Sequence, residues 1–172
     1  EAFMKNALLL LLTLATLLSA CAPVAGVAAP VAQVAQSNKP RLNPGATLDD
    51  VSEAARGNNE FAFDLYRQLR GQDSNLFYSP YSITLALAMT YAGARGETAE
   101  EMAATLRYTL DQSRLHPAFN ALDQALTSRG ANAEGKDGKP FRLHIANALW
   151  GQQGFEFLPA FLDLLAENYG AG

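Results

Sequence analysis

Polar and apolar positions divide the chain into three stretches. From Ala7 to Leu18 the sequence is apolar or uncharged throughout, one residue beyond Lys5. From Ala22 to about Gly57 it is rich in Ala, Val, Pro, Gln, Ser and Asn, has no aromatic residue and shows no sustained period. From Asn58 onward, helical and strand periods alternate with turn residues, which is the signature of a packed domain.

Within that last stretch the elements follow in order. Asn58 or Asn59 is a candidate N-cap for a helix with Phe61, Leu65 and Leu69 at four-residue spacing and Gly71 as its stop; Leu48 to Ala55 is a further candidate helical start. Asn75 to Tyr78 is a short apolar run between turn residues and reads as a brief strand. Ser79 before Pro80 is an N-cap followed by a first-turn proline. The helix expected there, Tyr81 to Ala92, contains no charge, so it must be covered on every side. Gly93 and Gly96 break it, and Thr98-Ala99-Glu100-Glu101 is a capping box for the next helix, with Met102 and Leu106 on its inner face. A helix beginning at His116-Pro117 carries Phe119, Leu122, Ala125 and Leu126, and residues 130–140 are a polar turn region. Phe141, Leu143, Ile145, Asn147 and Leu149 then alternate with the residues between them, a strand period. Pro159 to Tyr169 is a helix stopped by Gly170.

A single long strand has no ladder partner, and a wholly apolar helix needs cover on all sides. The pattern therefore predicts an α+β protein of which this chain is a fragment, in need of its missing half to be stable.

The first stretch reads as an address. A basic residue, an apolar core too short to span a bilayer and small residues before Cys21 make residues 4–20 a signal peptide, with Met4 as the start and Glu1 to Phe3 lying upstream of it. Leu18-Ser19-Ala20-Cys21 resembles the bacterial lipobox, in which the cysteine thiol is acylated and the chain is cut before it. The plainer alternative is an ordinary signal peptide with a chance cysteine. The resemblance implies lipidation at Cys21, a membrane as partner, and a secreted, envelope-anchored protein. Residues 21–57 are then a flexible tether, because such a composition buries too little surface to offset its ordering entropy.

Composition narrows the chemistry. The 49% apolar share is inflated by the leader, and a net charge of −4 with scattered basic residues gives nucleic acid no footing as a partner. One cysteine excludes an internal disulfide, and His116 and His144 lack metal-ligand spacing, so neither metal nor cofactor is expected. There is no nucleophile elbow, no zinc-protease motif and no phosphate loop, so an enzyme is not the expectation. Glu100 and Glu101 fit capping and solvation, His144 a surface or boundary position, and Trp150 packing at a strand end.

Asn75-Leu76-Phe77-Tyr78-Ser79-Pro80-Tyr81-Ser82-Ile83, followed by Ala86 to Thr98, resembles the signature of the serpin family around helix B. Phe61 to Tyr66 resembles helix A, Ile145 to Trp150 strand 2 of sheet A, and Phe157 to Tyr169 helix E, so the likeness covers residues 58–172 in unbroken order. The resemblance implies the multi-domain serpin fold, with helices A to E, a short strand of sheet B and strand 2 of sheet A present here. It implies a suicide-substrate inhibitor of serine, sometimes cysteine, proteases, whose reactive loop inserts into sheet A after cleavage. That loop lies beyond Gly172, so no reactive-site bond can be named. By the same resemblance, Ser79, Ser82 and Asn147 match the shutter, the region that parts to admit the inserting strand. Helix D corresponds to about residues 111–128, where Arg114 stands beside Asp111 and Asp123, so heparin is not expected as a partner. Two other readings stay open: a non-inhibitory serpin acting as a binding or carrier module, and an inactive truncated product.

Overall fold

A computed structural model describes residues 33–71, 75–129, 134–139 and 143–171. The leader, Cys21 and the first part of the expected tether lie outside the described residues. The rest forms five helices: α1 (Leu48–Leu69), α2 (Pro80–Tyr91), α3 (Gly96–Leu106), α4 (Gln112–Ser128) and α5 (Pro159–Tyr169). None of them is long and apolar enough to cross a membrane.

Helix α1 begins ten residues before the expected caps at Asn58 and Asn59. Thr47 caps it, its Oγ1 accepting the Asp50 amide at 3.1 Å, and Asp49 and Asp50 favour the positive end of the helix. Asn58 and Asn59 lie in mid-helix, where neighbouring turns already satisfy the backbone. The tether reading therefore fails for residues 48–57, which are helical, and for residues 37–42, which are pinned to the domain as described below. Both stretches lack aromatic residues, yet partners far along the chain order them.

Two other starts move as well. Helix α3 begins at Gly96, two residues before the expected capping box, and its N-cap Arg95 makes no side-chain cap bond. Gly96 takes φ +56, a left-handed conformation that glycine enters without a Cβ penalty. Helix α4 begins at Gln112, capped by Asp111, whose carboxylate accepts the Arg114 amide at 3.1 Å. Pro117 lies inside it rather than at its start, forgoing one ladder bond. By contrast α2 starts on its expected Ser79 cap, and α5 runs from Pro159 to Tyr169 with Gly170 as its left-handed stop.

The two strand expectations are not met. Residues 75–79 and 143–150 form neither helix nor ladder, Phe141 and Arg142 lie outside the described residues, and the described residues hold one isolated bridge position, at Glu134. The alternation survives in part: Ile145 packs against the core and Asn147 is half-buried, while His144, Ala146 and Ala148 are exposed. A strand needs a neighbour to pair with, and no described segment is laddered to this one. Trp150, expected to pack, is 84% exposed, and Phe155, Leu158 and Phe77 are exposed with it.

The core forms where α1 crosses α2, α3 and α4. Ala88, Ala118 and Phe119 have no exposed surface, and Leu85, Leu106, Leu110 and Leu115 surround them. Tyr108 stacks edge-on to Phe119 at 5.8 Å and tilts against Tyr91 at 5.3 Å, arrangements that aromatic rings favour. Met89 and Ala92 at the end of α2 meet Leu165 of α5 in a second, smaller cluster. Helix α2 buries Thr84, Leu85, Ala88, Met89 and Tyr91, while Ala86 and Leu87 are half-buried and Thr90 is exposed, so the described residues do not cover it on every side.

The α1–α3 junction is closest at Gly57. A Cβ at that position would lie 2.3 Å from the Arg107 carbonyl oxygen. Arg107 takes the left-handed αL position, φ 60, that ends α3, and its Nε meets Asp64 of α1 at 2.8 Å. Substituting Gly57→Ala should therefore destabilise the protein by about 1–3 kcal/mol, the overpacking cost exceeding the helix-propensity gain. Thermal unfolding checks this against Gly45→Ala, where nothing lies within 4 Å and little change is expected.

Candidate functional site

Two polar constellations stand out, one expected and one not. The expected one starts at the cap of α2. Ser79 Oγ accepts the Ser82 amide at 3.3 Å and shares a 3.0 Å hydrogen bond with Ser82 Oγ. The cap thus brings the two serines together. Asn147 is half-buried in the unladdered segment, with its Nδ2 buried and without a partner, and it forms no hydrogen bond with either serine. Along the inner face of α2, Thr84 is fully buried; its carbonyl accepts the Tyr108 hydroxyl at 2.9 Å, while its own Oγ1 and the Tyr81 hydroxyl are buried and unpaired. Buried polar groups are normally satisfied, so these atoms mark a surface with unused hydrogen-bonding capacity.

The unexpected constellation lies on α4. His116 and Asn120, one turn apart, are each 1% exposed. His116 Nδ1 lies 2.6 Å from the Tyr169 hydroxyl of α5, and the two rings meet edge-on at 5.7 Å. Its Nε2 is buried without a partner. Asn120 is fully used: its Oδ1 accepts from Arg41 Nε and Gln124 Nε2, both at 2.8 Å, and its Nδ2 donates to the carbonyls of Leu42 and Glu167. An open cavity of about 310 Å³ lies beside this cluster, lined by Lys39, Ser113, His116, Asp163, Glu167 and others. The spacing of His116 and Asn120 with Leu115 and Phe119 puts them on one helical face, a signal the sequence carried. Arg41 offered none, because its partners are in α4.

Ionisation follows burial. Burial, with Arg95 as a second cause, pushes the His116 pKa down from 6.5 to about 4, and burial raises Tyr169 well above its usual range. At the surface, Arg114 pairs with the buried Asp50 of α1, holding that carboxyl below its usual range. Thus the base noted in the 111–128 stretch is already engaged. Among the described residues no group of His, Cys, Asp and Glu is arranged to hold a metal ion.

A helix-rich domain with an unladdered segment before its last helix now has a family assignment. The family model for Serpin (serine protease inhibitor) matches residues 56–172. The chain belongs to the serpin family. It is 42% identical over 111 residues to an uncharacterized serpin-like protein of Thermococcus kodakarensis, covering 64% of this chain and 24% of that protein. It is 38% identical over 126 residues to a leukocyte elastase inhibitor of Xenopus laevis, covering 72% of this chain and 30% of that protein. The human leukocyte elastase inhibitor is 32% identical over 123 residues, covering 70% of this chain and 30% of that protein. The chain thus spans about a quarter to a third of the length of these relatives.

The buried histidine makes stability depend on pH. Its folded pKa, about 4, lies below its ordinary 6.5, so the unfolded chain binds the extra proton. The stabilising contribution is complete above about pH 6.5 and is lost as pH falls toward 4, by about 3 kcal/mol in all. Urea unfolding of the intact protein at several pH values should show this loss, and His116→Gln should flatten the profile in that window. The carboxylates with depressed pKa values, Asp50, Glu53, Asp64 and Asp111, lose their contributions mostly at lower pH.

Proposed function

We propose that the intact protein carrying this chain is a serpin-type inhibitor of a serine endopeptidase, held at the cell envelope by lipid on Cys21. The observation that carries the inhibitory reading is the serpin match over residues 56–172, joined to relatives named leukocyte elastase inhibitors. In that mechanism the protease cleaves an exposed loop and is trapped as an acyl-enzyme while the loop enters a sheet, releasing strain stored in the native fold. The loop is contributed by chain outside the matched residues.

Within this reading, residues 143–150 become a strand once the rest of the protein supplies ladder partners. Ser79, Ser82 and Asn147 belong to the shutter, where hydrogen bonds are exchanged as the sheet parts. Two observations support this: the serines already share a hydrogen bond, and the Asn147 amide is buried without a partner. Polar groups that can change partners lower the cost of opening a packed seam. The proposed anchor rests on the sequence of the leader, with residues 4–20 removed and Cys21 acylated.

Incubating the intact protein with elastase-like and trypsin-like serine proteases should give a complex that survives SDS. No such complex across a broad panel would rule out the inhibitory reading. Separately, Cys21→Ala should move the protein from the membrane fraction to the soluble one; unchanged retention would refute the lipid anchor without touching the first claim.

A further inference from the structure

The segment before α1 is fastened to the far end of the described domain. Ser37 Oγ donates to Asp163 of α5 at 2.5 Å, and Lys39 Nζ lies 3.3 Å from Glu167. The Leu42 amide donates to the Glu167 carbonyl at 2.9 Å, one of the last-turn carbonyls that a helix leaves without an internal partner. Arg41 reaches across to α4, with Nε on Asn120 and Nη2 2.8 Å from Asp123, itself only 13% exposed. Its stem passes over Gly170, where a Cβ would lie 3.3 Å from Arg41 Cδ. The glycine that stops α5 therefore also provides the clearance for the arginine.

We propose that residues 37–42 form a clasp that locks α5 onto α4, so that the segment preceding the domain controls how firmly α5 is held. The argument is independent of the inhibitory reading. The clasp joins two helices that also share the His116–Tyr169 contact: Arg41 Nε shares the Asn120 Oδ1 with Gln124, and the Leu42 amide shares the Glu167 carbonyl with Asn120 Nδ2. Its charged links lie where cations favour a helix C-terminus. A pull on this segment, or its cleavage, would remove the bridge and leave α5 held to α4 by side-chain packing, the His116–Tyr169 hydrogen bond and the Asn120 Nδ2 bond to the Glu167 carbonyl.

Sequence makes the clasp testable by proteolysis. Lys39 precedes Pro40, a bond trypsin cuts poorly, whereas Arg41 precedes Leu42. Trypsin can cut after Arg41 only when the guanidinium leaves Asn120 and Asp123. In the intact protein, Asp123→Ala should speed cleavage at Arg41–Leu42 by about tenfold. Arg41→Ala should speed hydrogen exchange at the Leu42 amide and in the last turn of α5 by about tenfold, while the amides of α2 stay as they are. Val34→Ala, outside the clasp, should change neither. Exchange in α5 within twofold of the parent protein in both variants would overturn the proposal, as would rapid cleavage at Arg41 in the parent protein.

Discussion

Two polar side chains on the buried face of α4 constrain the arrangement around them. Leu115, Ala118 and Phe119 drive that face into the core, and the helical period carries His116 and Asn120 in with them. An amide cannot be buried unpaired without a cost of about 1–3 kcal/mol. Asn120 therefore requires donors and acceptors inside the protein, and it finds them on Arg41, Leu42, Gln124 and Glu167. Satisfying one side chain draws together residues separated by 79 and 47 positions. His116 adds the Tyr169 contact to the same pairing of α4 with α5. The position of α5 and the course of residues 37–42 follow from these polar requirements as much as from apolar burial.

How much of this was legible beforehand depends on whether the signal was local. Ser79-Pro80 and Gly170 announce helix ends because a cap or a left-handed stop is decided by one residue and its immediate neighbours. The start of α1 was legible only as the Leu48–Ala55 candidate, and its extension through residues 56–59 was not. Thr47 caps α1, Asn58 and Asn59 offer caps that the continuing helix leaves unused, and the close approach of Gly57 to Arg107 lies outside any window around residue 57. Arg41 lay among prolines in a stretch whose composition resembled a tether, and only the partners in α4 and α5 give it structure. The serines of the expected site came together because the cap itself joins them. Asn147 did not join them, since its segment is not fixed by a ladder.

The polar face of α1 has a comparable role outside the core. Asp50 pairs with Arg114 of α4, Asp64 with Arg107 at the end of α3, and Glu53 accepts from both Arg56 and Thr109. Exposed pairs of this kind each contribute little. Asp50 differs because it is 6% exposed, so its partner Arg114 is needed to keep a buried carboxylate from standing alone. The pairs orient the starts and ends of α3 and α4 against α1, while Gly57 sets how near they come.

Unpaired buried polar atoms lie beside fully satisfied ones. On α4 the Asn120 amide is completely satisfied, whereas His116 Nε2 on the same helix, the Tyr81 and Thr84 hydroxyls of α2 and the Asn147 amide are buried without partners. A seam of fully satisfied groups resists opening, since every bond broken must be replaced; groups with spare capacity can accept an incoming backbone at lower cost. Of these, Tyr81 and Thr84 flank Ser82 in sequence, and Asn147 is itself a residue of the proposed shutter. Under the proposed reading, the clasp and Asn120 hold α5 to α4 while Ser79, Ser82 and Asn147 exchange partners as a sheet parts. Under that proposal a firmly held α4–α5 contact is useful, because motion can be confined to one region only if another resists it.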